Sequence, residues 1–239
     1  STWTEVNNTV EARSFGYGCG TQTAALWVSG LTNPTTLSVN SETWDGTSWT
    51  QSPDVGDGRS YTSGCGITTA SLFIGGYHPA PPPPIRVQVV EEYNGTTWTE
   101  IADLQNAVNS MGAASQGTPT AALIFGGYSG PGPNDRTESF NGTAWTETND
   151  LNTARATPQG AGTSTAALAV GGEPPPTLTS VESWDGTSWT ETSYDMGSGG
   201  IGGGYGGSST SAFVAGRAPF SNITEELGQA PAIKTFTSS

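Results

Sequence analysis

The sequence predicts an all-β protein, a five-bladed β-propeller of four-stranded antiparallel blades with its ring closed by a terminal strand. Three observations predict it. A phrase of the form aromatic–Asp/Asn–Gly–Thr–x–Trp–Thr recurs at 44–50, 93–99, 140–146 and 184–190, and a half copy, STWTE, opens the chain. A second phrase keeps phase with the first: AALWVSG (24–30), ASLFIGG (70–76), AALIFGG (121–127), AALAVGG (166–172) and SAFVAGR (211–217). Repeats of about 47 residues mark propellers or solenoids, in which each unit buries its faces on its neighbours. No stretch carries a helical period, and the apolar runs have strand length.

Five units follow, at 7–52, 53–101, 102–148, 149–192 and 193–239. Each opens on a small, glycine-rich strand A, such as SFGYGCG (14–20) or ATPQGAG (156–162), suited to a crowded central channel. Strand B is the apolar second phrase, unbroken because both faces of a blade are covered. A variable loop leads to strand C, and an Asp-Gly or Asn-Gly turn leads to strand D. Those dipeptides are strong hairpin signals, and a two-residue turn would pair Trp44 with Thr47 and Glu42 with Trp49. Trp49, Trp98, Trp145 and Trp189 are the structural tryptophans of strand D. Residues 1–6 are expected to be an extra strand closing the last blade, with IKTFTS (233–238) as a rival for the same place. An alternative is that one of the two is donated to a neighbouring protein by strand addition.

Composition agrees with a fold built on something other than aliphatic bulk. Leu, Ile, Val and Phe supply only 37 of 239 residues, but eight Trp and a 12% charged fraction argue against a disordered polar chain. Seven basic residues against 21 acidic ones give a net charge of −14, so nucleic acid and anionic membranes are excluded as expected partners. No apolar run is long enough to span a bilayer, and STWTEVNNTV does not have the form of a signal peptide.

Double glycine after an apolar strand, then a Glu, an aromatic and a Trp, resembles the kelch repeat of galactose-oxidase-like β-propellers, over essentially the whole chain. It departs from the usual pattern in an aromatic-to-Trp spacing that is always five residues (44→49, 93→98, 140→145, 184→189). The short GTxWTE variant also resembles repeats of marine bacteriophage structural proteins. The resemblance implies a propeller fold and a virion or extracellular setting.

The search for chemistry yields structure more readily than a site. Glu42, Glu91, Glu138, Glu182 and Glu225 recur at one position of strand C in all five units, two residues before an aromatic in four and before Leu227 in the fifth, and fivefold repetition argues for a structural role. Arg13, Arg59 and Arg155 are their expected partners, in three units only. No metal or other cofactor is expected, because copper, zinc or iron sites need several His or Cys and the chain has one His and two Cys. Cys19 and Cys65, one repeat apart, are expected on adjacent blades near the channel, as small buried residues or as a disulfide. The stretch GSGGIGGGYGG (197–207) lacks the Lys of a phosphate loop and is expected to be linker or channel lining.

Variation concentrates in the B–C loops, and loops on a rigid scaffold commonly carry function. The expected contacts for a glycan or protein are therefore Tyr77, His78, Tyr128, Asp135 and Arg136. The expected function is a non-enzymatic binding or adhesion module on a virion surface or appendage, meeting host-surface glycan or protein or other virion proteins. Homo-oligomerisation or strand exchange through a terminus belongs to the same expectation. The alternative is a purely structural decoration or assembly subunit, and the third reading is a carbohydrate-active enzyme.

Overall fold

A computed structural model describes residues 4–79, 85–174, 176–216 and 224–228. Blade one holds β1 (Tyr17–Thr21), β2 (Ala24–Asn33), β3 (Thr36–Trp44) and β4 (Trp49–Ser52). Blade two holds β5 (Ser63–Ile67), β6 (Ala70–Ile74), a small ribbon of β7 (Tyr77–His78) and β8 (Ile85–Arg86), then β9 (Val90–Tyr93) and β10 (Trp98–Glu100). Blade three holds β11 (Gly112–Ala113), β12 (Ala122–Phe125), β13 (Thr137–Phe140) and β14 (Trp145–Glu147). Blade four holds β15 (Gln159–Thr163), β16 (Ala166–Val170), β17 (Val181–Trp184) and β18 (Trp189–Glu191). Blade five holds β19 (Gly204–Ser208), β20 (Ser211–Ala215) and β21 (Thr224–Leu227). The sheets are antiparallel meanders, four of four strands and, among the described residues, one of three. The protein is a five-bladed β-propeller with the glycine-rich strands innermost.

The strand C to strand D connection corrects the expected register. Trp44 faces Trp49 and Glu42 faces Gln51, so four residues join the strands instead of two. The reason is the Asp45 side chain, whose Oδ1 accepts the Thr47 and Ser48 N–H groups at 2.8 Å each. Only Gly46 then needs a left-handed conformation (φ 94°), whereas a type I′ turn needs two such residues. Asn94, Asn141 and Asp185 build the same turn.

Blades are sealed to one another by apolar clusters. Leu26 and Val28 of blade one meet Phe73, Tyr93 and Trp98 of blade two. Leu72 and Ile74 meet Ile124, Phe140 and Trp145 of blade three. Leu123 and Phe125 meet Ala167, Ala169, Trp184 and Trp189 of blade four. Leu168 and Val170 meet Val214 of blade five, with Met196 and Leu227 alongside. The strand D tryptophans of blades two, three and four thus fill the groove behind the preceding blade. Trp98 and Trp189 also donate their indole N–H to Ser41 Oγ (3.3 Å) and Thr137 Oγ1 (2.9 Å) across that boundary.

Between blade five and blade one no such cluster occurs among the described residues. Gly18 and Gly20 of β1 and Gly204 of β19 are exposed, Phe213 is 45% exposed, and Trp27 and Trp49 are half-buried. Among the described residues, this boundary, the seam, has no apolar seal. The expected closing strand falls largely on residues 1–3 and 233–238, outside the described residues, and Thr4–Val6 belong to no strand.

Candidate functional site

The face carrying the B–C and D–A loops is organised by the repeated glutamate. Glu42 accepts the N–H groups of Val10 (2.6 Å) and Glu11 (3.3 Å), and Glu91 those of Gly56 (2.6 Å) and Asp57 (3.3 Å). Glu138 does the same for Gln105 and Asn106, and Glu182 for Asn152 and Thr153. Glu225 accepts from Gly197 N at 2.7 Å. Each carboxylate therefore fixes the D–A loop that enters its own blade. Arg13, Arg59 and Arg155 complete the clamp in their units, at 2.8, 3.3 and 2.6 Å from Glu42, Glu91 and Glu182. In blade three Asn106 Nδ2 stands near the carboxylate instead, at 3.5 Å from Glu138 Oε1. Burial pushes the Glu91 and Glu138 carboxyls above their ordinary range, against the pull of these N–H donors.

With the loops held, one residue just before strand A takes a left-handed conformation in every blade: Phe15 (φ 58°), Tyr61 (53°), Ser110 (55°), Thr157 (51°) and Gly202 (65°). Bulky residues avoid that region, and where they persist the surroundings must over-determine them. Here a backbone chain does so: Tyr61 N donates to Phe15 O (3.0 Å), Ser110 N to Tyr61 O (2.8 Å) and Thr157 N to Ser110 O (2.7 Å). These residues rim the channel mouth. The Phe15 and Tyr61 rings stack at 4.5 Å and 24°, and Tyr77 meets Tyr61 edge-on at 6.2 Å. Phe15 is 52% and Tyr61 36% exposed. Sequence reading missed both, because they sit inside runs read only as glycine-rich strand; their shared phase (15, 61, 110, 157, 202) was the available signal.

The five expected contacts divide. Tyr77 joins the aromatic group at the mouth. His78 Nε2 lies 3.1 Å from Asp57 Oδ2, tying the β7–β8 ribbon to the D–A loop. Tyr128 occupies the position equivalent to Tyr77 and donates its hydroxyl to Glu173 Oε1 of blade four at 2.5 Å. Burial and that carboxylate push its hydroxyl up to about 12. Asp135 and Arg136 are exposed and engage other groups: Arg136 Nη1 donates to Asn106 Oδ1 (3.0 Å) and its Nε lies 3.9 Å from Glu147. They stand apart from the aromatic group.

Below the mouth lies a cavity of about 1060 Å³ that runs along the channel and into the seam. Tyr17, Gln159, Tyr205 and Gly202–Gly207 line it, with Trp27 and Trp49 on the seam side. Cys19 lines it as well, and both thiols are free rather than joined. Burial pushes the Cys65 thiol up to about 12 and raises Cys19 as well, so neither is a poised nucleophile. Among the described residues no group of three or more His, Cys, Asp or Glu could hold a metal ion.

Comparison with known proteins bears on the fold. No family model matches the sequence, and no curated protein does. The chain is similar to a solved structure titled "Structure of YjhT", with a TM-score of 0.71 and 15% identity, over 89% of this chain and 75% of that one. At that identity the likeness concerns the propeller fold alone.

Proposed function

We propose that this chain is a non-enzymatic binding module of kelch-like type, displayed on a virion surface or appendage, that recognises a host glycan or protein through its B–C/D–A face. The observation that carries the reading is the exposed Phe15–Tyr61 pair held in left-handed backbone at the channel mouth, with Tyr77 against it. Exposed aromatic faces beside fixed hydroxyls suit glycan rings and apolar side chains alike. The short Thr- and Gly-rich repeat phrase supports the virion setting. A purely structural coat subunit is the second reading. It is favoured by Ile67, 59% exposed at the end of β5 beside the A–B turn, where other blades carry Thr21, Thr118 and Thr163.

Glycan arrays and binding to intact host cells test the proposal. The double variant Tyr61→Ala/Tyr77→Ala is expected to lose about tenfold or more in affinity, the scale of one aromatic hot spot, with the folded β spectrum retained. Blank arrays and blank cell binding for the unaltered protein would leave the coat-subunit reading in its place.

A further inference from the structure

All 21 Asp and Glu residues lie among the described residues, and four of the five described arginines meet one of them. Arg13, Arg59 and Arg155 are held in the buried glutamate clamps, and Arg136 reaches Glu147. Arg86 makes no ion pair with any of the 21. It stands half-buried in β8, directly opposite Tyr77 of β7, and cross-strand partners share a face. The cation therefore belongs to the same ribbon as the aromatic group at the mouth. Its Nε donates to Asn109 Oδ1 at 2.9 Å. Asn109 is itself fixed, 8% exposed and joined to Tyr128 by two backbone bonds, from its N to Tyr128 O (3.2 Å) and from Tyr128 N to its O (2.8 Å). Its Nδ2 donates to Ser110 Oγ at 3.0 Å, which turns Oδ1 toward Arg86. A guanidinium anchored through Nε still carries its planar pair of Nη groups, the fork that matches a carboxylate or sulfate.

We infer that Arg86 anchors a single anionic group, a carboxylate or sulfate ester, on an otherwise neutral glycan whose ring lies on Tyr61 and Tyr77. The inference rests on the binding-module reading and adds the charge class of the ligand and the residue that selects it. An exposed aromatic pair suits the C–H face of a sugar ring, whereas the anchors of a protein partner fill pockets. The net charge of −14 acts against anions. That field is screened over about 8 Å at physiological ionic strength, while the fork acts in contact. One negative group beside Arg86 therefore gains, and each further one meets only the field. A polyanion is disfavoured on that account, and a neutral ligand forgoes the fork.

The test titrates the full chain calorimetrically with gluco-, galacto- and manno-linked oligosaccharides in four forms: neutral, with one uronate, with one sulfate, and fully uronylated. At least one singly charged form is expected to bind about tenfold or more tighter than its neutral parent, the scale of a hydrogen bond to a charged group. The uronate and sulfate arms distinguish the two sources of charge. Arg86→Gln is expected to bring charged and neutral forms within about twofold of one another, and its thermal melt checks that it folds. Equal affinity of both forms, lost together in Tyr61→Ala/Tyr77→Ala, would overturn the anchor and leave the binding-module reading standing. A preference for charge that survives in Arg86→Gln would overturn the assignment to this residue. Tightest binding of the fully uronylated form would overturn the single-charge class, and stronger competition by a monoacidic peptide would overturn the glycan. No binding of any form would overturn the inference, and blank cell binding beside it would remove the binding-module reading too.

Discussion

At the scale of single residues, this propeller is held by buried carboxylates that receive backbone N–H groups. Glu42, Glu91, Glu138 and Glu182 are all at most 3% exposed, and each satisfies two loop donors that would otherwise be orphaned. Arg59 shows how such a charge is made tolerable. Its guanidinium meets Glu91, donates to Val89 O (3.0 Å) and lies 4.3 Å from the Phe73 ring centroid. Burial nevertheless keeps Glu91 above its usual value. A carboxyl raised this way holds its proton more tightly folded than unfolded. Its favourable contribution is therefore complete below the unfolded pKa and is lost as pH rises through the folded one. Arg59→Met removes the compensating cation and should cost about 3–5 kcal/mol at neutral pH, the scale of a broken buried pair. The loss should shrink in mild acid, where Glu91 takes up a proton. Urea midpoints of the variant and the parent protein across that pH range measure it, and a pH-independent difference would mean that Arg59 acts through packing alone.

At the scale of elements, strand order and phase were legible because the repeat states them five times. The Gly-Gly phrase also has a local cause: the second glycine of each pair has φ between 94° and 119° and its N–H donates to the next blade, as Gly76 N does to Val108 O and Gly127 N to Arg155 O. Two features were not legible. The Asx side chain lengthened the C–D turn, because Asp and Asn can cap a turn as well as adopt positive φ, and the dipeptide does not say which. The aromatic pair at the mouth was hidden because position 15 or 61 acquires meaning only once the inter-blade hydrogen bonds hold it left-handed. Strand A glycines, by contrast, follow directly from packing. A Cβ on Gly160 would come 2.0 Å from Ala113 O of blade three, whereas one on Gly132 meets nothing within 4 Å. Gly160→Ala should therefore destabilise by about 1–3 kcal/mol or more, as overpacked cores do, and Gly132→Ala should be close to neutral. Parallel thermal melts compare the two, and equal melting temperatures would contradict the close approach of β15 to β11.

At the scale of the whole molecule, the repeat explains why so few aliphatic residues suffice: an interface needs only a short apolar strand, a glycine strand and, in three of the four sealed boundaries, an indole. It does not say how a chain of repeats seals its last interface, since closure is a relation between the first unit and the fifth and leaves no mark within either. The four sealed boundaries are unequal. Three contain a strand D tryptophan, and the boundary of blades four and five is built from Leu168, Val170, Val181 and Val214, with a groove of about 200 Å³ beside them. Among the described residues, blade five is therefore held by a smaller apolar contact on one side and by no apolar cluster on the other. In repeat arrays stability is close to a sum of unit and nearest-neighbour terms, so the unit with the weakest neighbours opens first. Native-state hydrogen exchange should show the lowest opening free energy in β19–β21, with β12 and β16 exchanging only by global unfolding. Limited proteolysis should first cut between blades four and five, near Gly197–Ile201, and leave a resistant fragment containing blades one to four. Uniform protection across all five blades, or a first cut within blades two to four, would show that the seam is closed in solution and that the ring opens as one unit.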